Sequence, residues 1–287
     1  MKLFLAGADM DYHIEPVYLS GHGSMLSSYW KHKDSFIDSW LLWYNKTKHA
    51  NWIMDSGLFT MMFGAGSDKT YTKKDLLEYT HKYINDMNKI NYKGYIVEMD
   101  VHKVLGLEEL KKFRKIFETK YDIKKTIYVW HIEEEEKGFK KLCKKYPYIA
   151  ISIPELRIVL NGKKQLEKAV KELVILANKI NPNIKIHLLG CTQQNLMEHK
   201  GYYSCDSTSW MSSVKYGTGH FFYMNKIKQY SIHTKGWKDL RKNTKLNFTV
   251  KHNDYCKNLT LCAKAFRELN RYINNKYYNN EPLNTLL

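Results

Sequence analysis

The feature that most constrains this chain is an alternation of short β-rich runs with longer charged segments of helical character. The runs are KLFLAG (2–7), NWIMDSG (51–57), GYIVEMD (94–100), TIYVWHI (126–132), YIAISIP (148–154), IKIHLLG (184–190) and GYYSCDS (201–207), with GHFFYM (219–224) as the candidate eighth. Between them lie stretches such as LLEYTHKYINDMNKI and KQLEKAVKELVILANKI. In the latter, Leu166, Val170, Leu173, Val174 and Ala177 recur at helical spacing. Such alternation implies βαβ units and a mainly parallel sheet. Several runs are apolar on both faces, as parallel strands covered by helices must be. About eight of them predict an α/β protein with a (β/α)8 TIM-type barrel. A doubly wound open sheet is the competitor. No GxGxxG or GxxxxGK[ST] follows the first strand, and Gly64 and Gly66 in MMFGAGSDK read as a loop rather than a phosphate cradle.

The rhythm breaks near residue 230. The expected organisation is a catalytic barrel over 1–229 and a basic, helical C-terminal extension over 230–287, packed on the barrel. That extension opens with HTKGWKDLRKNTK and continues as one long helix. Neither an internal repeat nor a low-complexity linker is visible.

Hydrophobic residues make up 44% of the 287, enough for a sizeable core. No apolar run approaches the roughly 18–20 residues needed to span a bilayer, and the N-terminal segment lacks a signal-peptide core. A cytoplasmic location is expected. The five cysteines are odd in number and scattered, which fits reduced thiols better than a disulfide framework. Lys and Arg number 46 against 29 Asp and Glu, a net charge of +17. Such an excess draws polyanions by counterion release; a lysine-rich genomic composition is the plainer explanation.

In a barrel, chemistry sits where strands end at their C-termini. Asp55, Asp100 and Asp206 fall there, with Glu98 two residues before Asp100 and on the same side of its strand. His131 and His187 interrupt apolar strands. Each has a plainer account. Asp55 can start the DSG turn, Asp100 can cap a helix, Asp206 can form an Asx turn with Ser207 and Thr208, and the histidines can be satisfied core residues. EEEE (133–136) reads as acidic residues at a helix N-terminus. Together, however, strand-end carboxylates around one mouth repel each other unless a substrate or a shifted pKa compensates. Paired carboxylates there suit chemistry at a sugar's anomeric carbon, one attacking and the other handling protons.

These residues resemble a known family. WIMDSGLFT (52–60) resembles the DSGGFQ-type motif of tRNA-guanine transglycosylases, and HLLG (187–190) with CDSTSW (205–210) resembles that superfamily's glycine and nucleophile strands. The match is closer to the phage and bacterial 7-deazaguanine DNA transglycosylases, and it spans roughly residues 1–225. The resemblance implies a (β/α)8 barrel that exchanges guanine in DNA for a 7-deazaguanine base. It implies Asp206 as nucleophile and Asp55 as general acid/base. Asp100 aligns with the base-recognition aspartate, and His131 takes the place of a glutamine that touches the base. Gly190 would admit the base close to the backbone. Glu98, Ser56, Gly57, His187 and Ser207 complete the expected substrate site, with Ser207, Thr208 and Ser209 orienting the nucleophile or contacting phosphate. Trp210, and after it Trp130, are candidates for stacking on an extruded base, though packing is the plainer role for Trp130. Phosphate contacts are expected from Lys235, Lys238, Arg241, Lys242 and Lys245 in the extension, while KKFRK (111–115) and KKLCKK (140–145) read equally as solvated helix faces.

The chain departs from the tRNA enzymes in two ways. Their proline- and arginine-rich continuation after the nucleophile is replaced by DSTSW. Their zinc pattern is missing too: Cys256 and Cys262, with His252 nearby, lack a recognised zinc spacing. No metal or other cofactor is therefore expected. The expected partners are DNA, with tRNA as the alternative, and a free base such as 7-cyano-7-deazaguanine. A membrane is not among them, and a homodimer is left open. An N-glycosidase that uses water, and a basic barrel that only binds nucleic acid, are the rival functions.

Overall fold

The computed structural model describes residues 1–31, 37–47, 51–63, 70–191, 193–215, 218–231 and 255–278. Eight parallel strands close into a barrel in chain order, the first pairing with the last. They are β1 (Lys2–Ala6), β2 (Ser24–Ser28), β3 (Asn51–Asp55), β4 (Tyr95–Val97), β5 (Thr126–Trp130), β6 (Tyr148–Ser152), β7 (Lys185–Leu189) and β8 (Ser204–Ser207). The helices between them are α1 (Asp11–Leu19), α2 (Ile37–Lys46), α3 (Leu58–Phe63), α4 (Lys73–Lys89), α5 (His102–Leu105), α6 (Leu107–Lys120), α7 (Glu135–Lys145), α8 (Ile153–Val159), α9 (Lys163–Ile180) and α10 (Gln194–Met197). The expected barrel is present.

Two buried layers follow from the period-2 alternation of strands. Phe4, Ala6, Leu26, Ile53, Val97, Ile127, Val129, Tyr148 and Ala150, all alternate strand residues, form a cluster of their own inside the barrel. Their neighbours face outward into the larger strand–helix core, where Leu3, Leu5, Ile96, Tyr128, Ile149 and Ile186 are fully enclosed. Below the inner cluster, Lys2 donates to Asn51 and Lys185 to Tyr95, both at 2.8 Å.

Two elements differ from the sequence expectation. SMLSS is β2, although its serines obscure it as an apolar run; Ser27 supports it by donating to the Ala8 carbonyl. The run 219–224 is not a barrel strand. As β9 (Thr218–Tyr223) it pairs antiparallel with β10 (Lys226–Ser231) in a separate hairpin. The barrel closes at β8, followed by α11 (Ser209–Lys215).

The last described helix, α12 (Tyr255–Tyr277), packs against α1, α11 and the hairpin and reaches β1. Its buried stripe of Leu259, Cys262, Ala263, Phe266, Leu269 and Ile273 has helical spacing. Arg267 donates to the Ser20 carbonyl at 2.7 Å and Asn274 to that of Met1 at 2.9 Å. The helix therefore covers the barrel where its first and last strands meet. Among the described residues no helix is long and apolar enough to cross a membrane.

Candidate active site

The best-defined constellation lies on β7 and β8. His187 is fully buried and faces the barrel interior. Its Nε2 is 3.1 Å from Asp206 Oδ1, and its Nδ1 is 2.6 Å from Ser204 Oγ. Ser204 in turn bonds to the hydroxyl of Tyr148. A carboxylate only accepts, so with Asp206 ionised the imidazole donates from Nε2 and accepts from Ser204 at Nδ1. With a neutral imidazole the donor order would run from Tyr148 through Ser204 and His187 to Asp206. The backbone N–H of Gly190 donates to the same Oδ1 at 2.9 Å. Among the described residues Asp206 Oδ2 accepts no hydrogen bond and is the oxygen left for chemistry.

Gly190 owes its place to backbone geometry. It has φ +62°, and a Cβ there would lie 2.9 Å from Pro154 Cγ. The left-handed turn after β7 aims its N–H at the carboxylate.

Asp55 ends β3. Its Oδ1 accepts from the Gly57 N–H at 2.6 Å, so the turn expected at DSG is real. Gly57 has φ +77°, and a Cβ would sit 2.3 Å from Ser28 Oγ and 2.6 Å from Trp30 Cβ. Ser56 is buried, and its carbonyl accepts from Tyr79. Burial raises the Asp55 carboxyl from 3.8 to about 7 against the Gly57 hydrogen bond, with the charges of Asp100, Asp206 and Asp9 adding to the rise. Asp9, which follows β1, is a fourth carboxylate at this mouth. Burial raises it to about 6, against a hydrogen bond from Ser28 N–H and the charge of Lys31. Its position after KLFLAG was the available signal.

On the β4–β6 side lies a group of a different kind. His131 follows β5 and is fully buried; His102 begins α5 and Glu155 lies in the first turn of α8. The two imidazoles stack with centroids 3.5 Å apart. Glu155 Oε1 lies 3.4 Å from His131 Nδ1 and 3.6 Å from His102 Nε2. His102 Nδ1 is 3.1 Å from the Asp100 carbonyl. Sequence reasoning found only His131, because His102 and Glu155 each open a helix and look like ordinary surface residues there.

Several expected site residues serve the scaffold instead. Glu98 does not face the mouth with Asp100. β4 ends at the inward Val97, so Glu98 points outward, and strand alternation no longer governs Asp100. The fully buried Glu98 carboxylate accepts from Arg114 Nε at 3.0 and 3.1 Å and from Val129 N–H at 2.7 Å. Arg114 also holds Glu134 at 2.6 and 2.9 Å. Burial raises Glu98 to about 7, opposed chiefly by the charge of Arg114. Trp210 is fully enclosed and donates to the Ala6 carbonyl at 2.8 Å, so it is packing rather than a stacking platform. Trp130 is buried against Phe139 and donates to the Glu135 carbonyl. Ser207 Oγ accepts from Ser209 N–H at the start of α11.

The basic runs on α6 and α7 are largely neutralised. Lys111 pairs with Glu108, Lys112 with Glu109, Lys140 with Glu136 and Lys145 with Glu118. Lys235, Lys238, Arg241, Lys242, Lys245 and His252 lie outside the described residues. Cys256 and Cys262 are both on α12. Burial pushes the Cys191 thiol, which lies near Asp206, up to about 12 and Cys205 well above its ordinary value, which disfavours either as a nucleophile.

The mouth therefore gathers Asp9, Asp55, Asp100, His102, His131, Glu155 and Asp206 from the C-terminal parts of six strands or the turns after them, with His187 reaching Asp206 from within β7. Compared with known proteins, the chain matches no family model, and no curated protein matches it in sequence.

Proposed function

We propose that this protein is a transglycosylase that exchanges guanine in DNA for a 7-deazaguanine base. One observation carries the reading: two carboxylates of unlike character share the mouth. Asp206 is fixed by His187 and Gly190 with one oxygen left over, and Asp55 is an acid shifted to about 7. Pairs of titratable groups in contrasting environments divide acid–base and nucleophilic work.

In this mechanism Asp206 Oδ2 attacks the anomeric carbon of the target deoxyguanosine. The glycosidic bond breaks, its electrons go to guanine, and the Asp55 carboxyl supplies the proton that guanine takes away. The resulting Asp55 carboxylate removes a proton from the incoming base, which attacks the same carbon and releases Asp206. Protons balance over the cycle, and no redox step is needed. Asp100 offers acceptors for a purine's amino and imino hydrogens. The guanine must first leave the helical stack, at a cost of a few kcal/mol. The resemblance of WIMDSGLFT, HLLG and CDSTSW to the transglycosylase motifs, and the net charge of +17, support a nucleic-acid substrate.

The test is to incubate the purified chain with guanine-containing duplex DNA, or with unmodified tRNA, and a pool of 7-deazaguanine bases, then analyse the digested nucleosides by mass spectrometry. A deazaguanine deoxynucleoside is expected from DNA and should vanish in Asp206→Asn while DNA affinity persists. Modification of tRNA alone would keep the residue roles and change the polymer. Guanine release without incorporation would replace exchange by hydrolysis. Unchanged turnover in Asp206→Asn would remove the nucleophile.

A further inference from the structure

We infer that His102, His131 and Glu155 form a binding site for a divalent metal ion of the Zn2+ class at the barrel mouth. One donor atom from each of the three residues lies within 4.8 Å of those from the others. Ligands on a tetrahedral ion at ordinary bond lengths stand roughly 3.4 Å apart. The shorter contacts, Glu155 Oε1 to His131 at 3.4 Å and to His102 at 3.6 Å, are already near that spacing. Small side-chain rotations close the rest.

The hydrogen-bond inventory points the same way. The Asp100 carbonyl can only accept, so His102 carries its proton on Nδ1 and presents Nε2 inward. That Nε2 faces Glu155, and Glu133 Oε2 at 3.8 Å, yet among the described residues it has no hydrogen-bond partner. Among the described residues His131 Nε2 and Glu155 Oε2 are likewise buried without hydrogen-bond partners. Of these three atoms, His102 Nε2 is the one that also stands at ligand spacing from Glu155 Oε1, and an orphaned polar atom there carries a desolvation cost. A lone pair aimed at carboxylates is repulsive until an electrophile sits between them. A carbonyl that fixes the imidazole tautomer from behind is also what metal-ligating histidines have.

The donor set selects the ion. Two imidazole nitrogens and one carboxylate suit Zn2+, Fe2+ or Co2+; Mg2+ and Ca2+ prefer oxygen alone. Three protein ligands leave a coordination position for water or a substrate oxygen, as in catalytic rather than structural sites. Glu155 keeps a side-chain exposure of 20%, whereas His131 has none, so the ion's access is from the carboxylate side. The inference stands independently of base exchange.

The test uses the full chain stripped with a chelator and titrated with Zn2+ by calorimetry, then with Co2+ by absorption. One ion per chain is expected, with weak ligand-field bands and no intense thiolate band. His102→Gln, His131→Gln and Glu155→Gln should each weaken Zn2+ binding by about 100-fold or more, with far-UV circular dichroism reporting the fold. Should a variant fail to fold, nitrogen NMR of wild-type imidazoles decides: Zn2+ must shift His102 and His131. Absence of binding, a thiolate band that places the ion on cysteine, unaltered affinity in the folded variants, or shifts confined to other histidines would each overturn the site.

Discussion

His187 holds Asp206 through Nε2 at 3.1 Å and is itself held by Ser204 through Nδ1 at 2.6 Å. This pair joins β7 to β8 at the point where the proposed nucleophile needs a fixed orientation. In His187→Ala, Ser204 and Asp206 each lose a buried partner, at a cost of about 1–3 kcal/mol per orphaned group. The exchange rate should fall about 100-fold or more, chiefly in kcat, since DNA contacts are untouched. His187→Gln should recover part of the stability and less of the rate. Urea titration and single-turnover kinetics check both.

Asp55 makes stability depend on pH in a direction opposite to that of a salt-bridged aspartate. Its carboxyl is raised from 3.8 to about 7 in the folded protein, so folding takes up a proton. The penalty is absent below about 4, grows as pH rises and is complete above about 7. It amounts to at most about 4 kcal/mol, and to less as the mouth admits water. Asp55→Asn should therefore be more stable than wild type at pH 8 and equal to it near pH 4. Asp9, raised to about 6, acts in the same sense, so a smaller slope should persist in the variant. Urea midpoints across pH test this, and exchange should be lost in Asp55→Asn at every pH.

Arg114 is buried between two carboxylates, Glu98 and Glu134. Arg114→Met should destabilise the fold by about 3–5 kcal/mol, because Glu98 and Glu134 lose their buried partner and Glu98 must stay charged and unpaired or take up a proton. Adding Glu98→Gln should return a large part of that loss; without Arg114, whose charge opposes the burial shift, Glu98 takes up its proton at higher pH than in wild type, so the single variant should become more impaired as pH rises. Thermal or urea unfolding of the double-variant cycle measures it.

Trp210 separates packing from recognition. Trp210→Phe removes the hydrogen bond to the Ala6 carbonyl and should cost about 1–3 kcal/mol. DNA affinity, measured on the folded variant by fluorescence anisotropy, should not change. A large affinity loss without destabilisation would restore Trp210 as a stacking platform.

The barrel was legible because short β-rich runs alternate with helical segments; seven of its strands fall in such runs, and several of these are apolar on both faces. β2 escaped because SMLSS has three serines, and 219–224 was misplaced because an apolar hairpin strand has the same local composition as a barrel strand. Asp55 and Asp206 were legible as strand-end carboxylates, while Glu98 was not, since its direction depends on β4 ending at Val97. The His102–His131–Glu155 group was invisible for a different reason. Its members are far apart in sequence, and only the pairing of β4 with β5 and of β5 with β6 brings the turns after them together.

The pairing of β1 with β8 sets Phe4 opposite Asp206 across the barrel's seam. During synthesis the first strand emerges some two hundred residues before its partner. Contacts so distant along the chain form late and fold slowly. A nascent chain therefore carries Asp55 long before it can position Asp206, and the proposed site is complete only when the ring closes. Translation itself thus imposes a latent period, in which the chain's positive charge is already present before the two aspartates share one mouth.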